Sequence, residues 1–301
     1  RGIPGVARVQ IAHDIRDDFA HNPALLHRRP FAQGIDMSTE RASRHRTALV
    51  TGASGGIGKG IAEAAARDGW HLVLSARSTR DIDAFAEDWR RRYGVQVTAL
   101  AQDLSKPGGA DALFDAVMAR GIVIDCLVNN AGIGVYGEFI DTSLDEELAM
   151  LRLNVEAPTV LAKRFLPQLV ERGGHILNIA STASFPPGPF LAVYYGSKAY
   201  LRSWSEGIAE ELAPRGVDVT AFCPGPVRTQ FADRANAKRS ALFRAGHLPD
   251  GDEVGRAAWQ ACMQGRRLVV HGALNKVQVF AMRFTPRTWL AKIVRRVSRP
   301  V

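Results

Sequence analysis

Thr47-Ala-Leu-Val-Thr51-Gly-Ala-Ser-Gly-Gly-Ile-Gly58 is the stretch whose reading decides the fold. Its first five residues are a short apolar run and its middle is a glycine-rich turn. A helical pattern follows from Ile57 to Asp68 and is stopped by Gly69. Outward from there, His71-Leu-Val-Leu-Ser75 is a second apolar run, trailed by an amphipathic helix through Arg91. Residues 95–101, 122–129, 175–180 and 217–222 repeat the theme, each bounded by turn residues and separated by helical stretches. Nearly continuous apolar strands alternating with helices predict a parallel sheet buried on both faces. The expected architecture is one α/β domain, doubly wound, with about seven strands and helices on both faces. No internal repeat or second domain is visible.

Glycines in such a turn let the backbone bend tightly and approach a pyrophosphate, while the helix behind it supplies free N–H groups and a positive dipole end. An ordinary strand–helix turn is the alternative. The Lys-Ser/Thr ending of a P-loop is missing, which argues against nucleoside triphosphate chemistry. The second strand ends Ser75-Ala76-Arg77, where many dinucleotide folds place an acid to accept from a ribose 2′-hydroxyl. Arg77 suits a 2′-phosphate instead, because its planar fork pairs with phosphate oxygens. NADP(H) is therefore favoured over NAD(H), with a solvated surface arginine as the alternative reading.

The composition is that of an ordinary globular protein: 301 residues, 46% hydrophobic and 23% charged. The net charge of +9 is unevenly spread. Residues 1–46 hold eight basic and five acidic side chains, residues 254–301 ten basic and none acidic, and the stretch between is mildly acidic. The globular middle gives no sign of a nucleic-acid surface, and the positive charge belongs to the ends. Three distant cysteines, Cys126, Cys223 and Cys262, argue against a disulfide framework and for a reducing, cytoplasmic setting. The histidines show no metal-ligand spacing, so no metal is expected. Residues 1–45 read as a disordered leader, and Met37-Ser38-Thr39-Glu40 as a translation start that would leave the first 36 residues outside the native chain. No secretory signal and no spanning helix are visible.

Taken together, these residues resemble the short-chain dehydrogenase/reductase family. The glycine turn with Gly52, Gly56 and Gly58, Val128-Asn-Asn-Ala-Gly132, Leu153-Asn154-Val155, Ser181, Tyr194-Tyr-Gly-Ser-Lys198 and Pro224-Gly-Pro-Val-Arg-Thr229 match its motifs in order, over about residues 46–270. The position before Gly56 is Gly55, where many NADP-preferring members carry a base. The resemblance implies a Rossmann-like domain over residues 46–272 that interconverts a carbonyl and an alcohol by hydride transfer. It implies Asn154, Ser181, Tyr194 and Lys198 as the catalytic set. Gly52, Ser54, Gly56, Ile57, Gly58, Arg77, Asp103, Leu104, Asn130, Ala131, Gly132, Tyr194, Lys198, Pro224, Val227 and Thr229 would hold the cofactor, and the family assembles as homo-oligomers.

The chemistry is consistent with those roles. A phenol with a pKa of ~10 is a poor base at neutral pH. Tyr194 and Lys198 lie four apart on one helix face, so the ammonium should favour phenolate. Ser181 would hydrogen-bond the substrate oxygen as charge develops there. The resemblance further implies that Asn154 holds a water that refills the proton through Lys198. Asp103 would accept from the adenine amino group, cap a helix beginning near Lys106, or do both. Phe185-Pro-Pro-Gly-Pro-Phe190, Val135-Tyr136-Gly-Glu-Phe139, Phe231, Leu242 and Phe243 would wall an apolar pocket under a lid at 226–249, for a small-molecule substrate that is a bulky hydrophobic ketone, acyl or sterol-like compound. The basic tail, 273–301, interleaves apolar residues with Arg and Lys, and Thr285-Pro286 would start a second helix there. Such a tail fits peripheral membrane contact, a subunit interface, or a cover over the substrate mouth. An NADP-binding redox sensor and a membrane-associated adaptor are the rival functions.

Overall fold

The computed structural model describes residues 45–229, 231 and 248–299. The expected leader, most of the expected lid, Leu242 and Phe243 lie outside them. Seven strands alternate with helices: β1 (Thr47–Thr51), α1 (Gly56–Arg67), β2 (His71–Ala76), α2 (Arg80–Tyr93), β3 (Val97–Ala101), α3 (Gly109–Met118), β4 (Cys126–Asn129), α4 (Leu144–Leu151), α5 (Ala157–Arg172), β5 (His175–Ile179), α6 (Ala192–Leu212), β6 (Asp218–Cys223), α7 (Gly251–Met263) and β7 (Leu268–Val270). Two helices close the described chain, α8 (Ala273–Met282) and α9 (Arg287–Ser298).

The strands pair in parallel in the order β3-β2-β1-β4-β5-β6-β7. Each strand is almost wholly apolar because both of its faces are covered. On one face Ile61, Ile82, Trp89, Val254 and Trp259 from α1, α2 and α7 meet Val50, Leu72 and Leu74. On the other, Leu113, Leu161, Phe165, Leu169 and Leu212 from α3, α5 and α6 meet Leu49, Leu127 and Ile176. The chain winds outward in both directions from the β1–β4 pair, which leaves a crevice at the carboxyl ends of those two strands. Cys126, Cys223 and Cys262 are free and buried.

Helix ends follow their local chemistry. Asp81 and Asp83 open α2, Arg90, Arg91 and Arg92 close it, and Gly94 ends it in the left-handed region at φ 67°. α1 and α7 touch backbone to backbone. A Cβ on Gly251 would lie 2.7 Å from the Gly56 Cα, and one on Gly255 2.5 Å from the Ile57 carbonyl oxygen.

Several boundaries differ from the sequence reading. β4 starts at Cys126 rather than near residue 122, because the Ile124 amide donates to the Gln168 side chain and leaves the ladder. The helix expected near Lys106 starts at Gly109, after Asp103 has turned the chain by accepting from the Ser105 amide at 2.9 Å. β7, only three residues long, is too short to announce itself in the sequence.

Candidate active site

The glycine turn sits in the crevice and is clamped to the end of β4. Thr51 Oγ1 donates to the Val128 carbonyl and accepts from the Asn130 and Ala131 amides, each at 3.1 Å. The Asn130 amide group donates to the carbonyls of Thr51 at 2.8 Å and Gly52 at 3.1 Å. Space there admits only glycine: a Cβ on Gly58 would stand 2.4 Å from Asn130 Nδ2 and 2.4 Å from the Gly52 carbonyl. Gly56, at φ 55°, faces the Thr229 methyl. α1 begins at Gly56, behind Gly55, with no side-chain cap and no acid in its first turn, so its leading amides stay open to an anion.

Ser54 and Ile57 are half-buried in the same turn. Arg77 is exposed at the end of β2. Asp103, beyond β3, is partly desolvated, but bonds from Ser105 and the charges of Arg77 and Lys106 hold its carboxyl below the ordinary range. Leu104 and Val227 are buried, and the Pro224 carbonyl accepts from the Thr182 amide at 2.8 Å.

The four residues expected to carry chemistry come together at the ends of β4 and β5. Asn154 stands in a π-helical turn, Arg152–Glu156, that joins α4 to α5. The wider turn directs its side chain inward, where it is 1% exposed. Its Nδ2 donates to the Ile133 carbonyl at 2.9 Å and to Ser197 Oγ at 3.0 Å, and its Oδ1 accepts from the Ile133 amide. Ser197 in turn donates to the Tyr194 carbonyl at 2.7 Å. Lys198 Nζ donates to the Ile179 carbonyl at 2.8 Å and lies 6.0 Å from the Tyr194 ring centre. A Cβ on Gly132 would be 3.3 Å from both Asn154 Oδ1 and Lys198 Nζ, so these three residues share one small space. Ser181 caps the short turn Thr182–Ser184, accepts from the Ala183 amide at 3.0 Å and lies close enough to the Tyr194 phenol to act on its ionisation.

Electrostatics there is governed by burial. It pushes the Tyr194 phenol well above its ordinary value, and the nearby Ser181 hydroxyl opposes that only in part. The same desolvation pulls Lys198 down to about 8, with Cys223 acting weakly the other way. The expectation that the ammonium would lower the phenol therefore meets a stronger opposing force in this cofactor-free chain.

The mouth of the cleft is closed partly by the tail. Tyr136 donates to the Ser298 carbonyl at 2.5 Å, and Val294 packs against Ala183, Leu191 and Tyr195 beside Tyr194. A cavity of about 290 Å³ lies beside these contacts, between Val135, Glu138, Phe139, Glu147, Phe190 and Arg295, and none of Asn154, Ser181, Tyr194 and Lys198 lines it. Phe190 adopts φ 68°, strained for a side-chain-bearing residue, and its carbonyl accepts from Gly137 at 3.0 Å. The Phe231 ring leans on Tyr194 at a tilt of 48°, ring centres 5.2 Å apart. Sequence reasoning gave no role to Thr51, Ser197 or Ser298. Only Thr51, adjoining the glycine turn, carried a positional signal.

Comparison with known proteins agrees with this layout. The sequence model of the family described as short chain dehydrogenase matches residues 46–240. Over 176 residues the chain is 38% identical to a very-long-chain 3-oxoacyl-CoA reductase of Podospora anserina, covering 57% of this chain and 52% of that protein. The chain thus spans about half the length of that relative. A short-chain dehydrogenase from Sphingobium yanoikuyae, solved with NADPH, superimposes with a TM-score of 0.70 at 33% identity over 79% of this chain and 93% of the other. The bulky-bulky ketone specific alcohol dehydrogenase of Comamonas testosteroni does so with 0.67 and 30% over 79% and 92%. Motif order, sheet topology and these likenesses agree: the chain belongs to the short-chain dehydrogenase family.

Proposed function

We propose that the protein is an NADPH-dependent reductase of a bulky, hydrophobic carbonyl compound, with Tyr194 as its acid. The observation that carries this reading is the cluster of Tyr194, Ser181, Lys198 and Asn154 beside the glycine turn. The residues present fit a dinucleotide. The turn has no room for side chains at Gly52 and Gly58, the α1 amides are open, and Arg77 stands exposed where a 2′-phosphate would lie, with Asp103 and Leu104 toward the adenine. Asn130, Ala131, Gly132, Pro224, Val227 and Thr229 border the ribose and nicotinamide side. When bound, a reduced nicotinamide supplies hydride to the substrate carbon.

The chain's own residues manage the other half. Ser181 donates to the carbonyl oxygen and fixes it against the Tyr194 hydroxyl. A phenol raised by burial is protonated across the neutral range and gives its proton to that oxygen as negative charge builds. Lys198, poised near neutrality, passes a proton back toward Tyr194, and Asn154 holds its main-chain and Ser197 partners so that a water can reach Lys198. Phe231 against the Tyr194 ring, and Leu191 and Tyr195 packed beside it, support an apolar substrate. Residues 46–272 are the catalytic domain in this reading and 273–301 a basic helical tail. Exposed Leu144, Leu148 and Leu151 on α4 support a homo-oligomer, and buried free thiols suit a reducing cytoplasm.

A panel of ketones and alcohols assayed with NADPH and NADH, and with their oxidised forms, tests this. NADPH should be preferred, and Tyr194→Phe should cut turnover by ~10²–10⁴ while NADPH binding persists. Full turnover in that variant would remove the acid from Tyr194.

A further inference from the structure

α8 and α9 carry a face that the rest of the described chain leaves open. Leu274, Val277 and Phe280 on α8, Phe284 in the link, and Trp289, Ile293 and Val297 on α9 are exposed, Phe284 at 75% and Trp289 at 63%. At ~3.6 residues per turn, Trp289, Ile293 and Val297 share one face of α9. On one side of that stripe Leu290 and Ser298 are buried, and Val294 packs on the Ala183, Leu191 and Tyr195 cluster that Tyr194 also joins. On its other side come Lys292, Arg296 and Arg299, all exposed. One short helix therefore turns an apolar inner face to the cleft and an apolar outer face to solvent, edged with cations.

Charge selects the occupant of the outer face. Residues 273–301 hold seven basic and no acidic side chains, so a second copy that packed this same face against it would meet its own sign. An anionic bilayer surface complements both features: the acyl boundary receives Trp289, Ile293 and Phe284, and lipid phosphates receive the Lys and Arg heads. α9 has twelve residues. No helix of the described residues is long and apolar enough to cross a membrane.

We propose that α8 and α9 form a docking surface for an anionic lipid bilayer, and that the docked helix α9 is at the same time a wall of the Tyr194 cleft. An apolar carbonyl compound dissolved in the bilayer then enters past Val294 and Arg295 without crossing water. This second half rests on the reductase reading, whereas the docking does not.

Full-length protein sedimented with vesicles of phosphatidylcholine and phosphatidylglycerol should bind roughly tenfold or more tightly than with phosphatidylcholine alone, and added salt should weaken the binding. Trp289→Ser combined with Ile293→Ser should lose a comparable factor while turnover of a small water-soluble carbonyl stays unchanged. Equal binding to both vesicle types, or binding untouched by the double variant, overturns the docking. So does an oligomer that the double variant breaks apart, since the stripe would then be covered by another copy. Vesicles should also lower the apparent KM for a bilayer-dissolved ketone. If they bind without doing so, the link to the cleft is overturned. If no carbonyl is turned over at all while vesicles still bind, the reductase reading fails and the docking stands.

Discussion

Lys198 donates to the Ile179 carbonyl from a fully enclosed position, and burial brings its ammonium from the ordinary lysine range down to about 8. A group whose folded pKa is depressed to 8 from an unfolded value near 10.5 costs stability while it must be charged. The cost is in full force below pH 8 and is relieved as pH rises toward 10.5. At ~1.4 kcal/mol per unit it amounts to about 3 kcal/mol. Lys198→Met should therefore abolish turnover yet raise the unfolding free energy below pH 8, less about 1 kcal/mol for the unpaired Ile179 carbonyl. That advantage should shrink as pH climbs above 8. Urea unfolding of both proteins across that range checks it, and an advantage that grows with pH would contradict the burial account. That Tyr194, Ser181, Lys198 and Asn154 would lie together was legible through the family resemblance, whose motifs carry those residue types at those spacings. The Ile179 carbonyl and Ser197 were not, since a main-chain acceptor has no side-chain signature and serine is common on helices. The upward displacement of the phenol was equally hidden, because it depends on how completely the cleft encloses it.

At the scale of elements, the glycines of α1, α6 and α7 sort into two kinds. A Cβ on Gly255 would meet Ile57 O, Ile61 N and the Gly60 carbonyl carbon at 2.5, 2.6 and 2.7 Å, all of them backbone atoms that cannot step aside. Gly207, on α6, has nothing within 4 Å. Gly255→Ala should thus destabilise the fold by about 1–3 kcal/mol through overpacking. Gly207→Ala should stabilise it by about 0.5–1 kcal/mol through helix propensity. Thermal unfolding midpoints moving in opposite directions for one chemical change would bear out the crossing geometry. The existence of most of these elements was legible from alternating apolar runs and glycine stops. Their starts were less so: Asp103 and Gln168 redirect the chain through side-chain bonds to backbone, which a periodicity cannot register. The π-turn around Asn154 is likewise invisible in sequence, although it is what turns that side chain inward.

For the molecule as a whole, the sheet order leaves its crevice at the β1–β4 boundary, and the glycine turn, Asn130 and the Tyr194 cluster all converge there. The parallel, doubly wound plan could be foreseen because buried strands must be apolar throughout. The seat of α9 could not, since an amphipathic basic helix suits a membrane, a subunit interface or a substrate mouth equally well until its neighbours Tyr136 and Leu191 are known. Every native thiol, Cys126, Cys223 and Cys262, lies in the interior. The folded protein should accordingly resist a water-borne maleimide, and its full titre of three should appear only in denaturant. Trp289→Cys would then give a single addressable handle for a fluorophore, without any need to strip the native sulfurs from the core first.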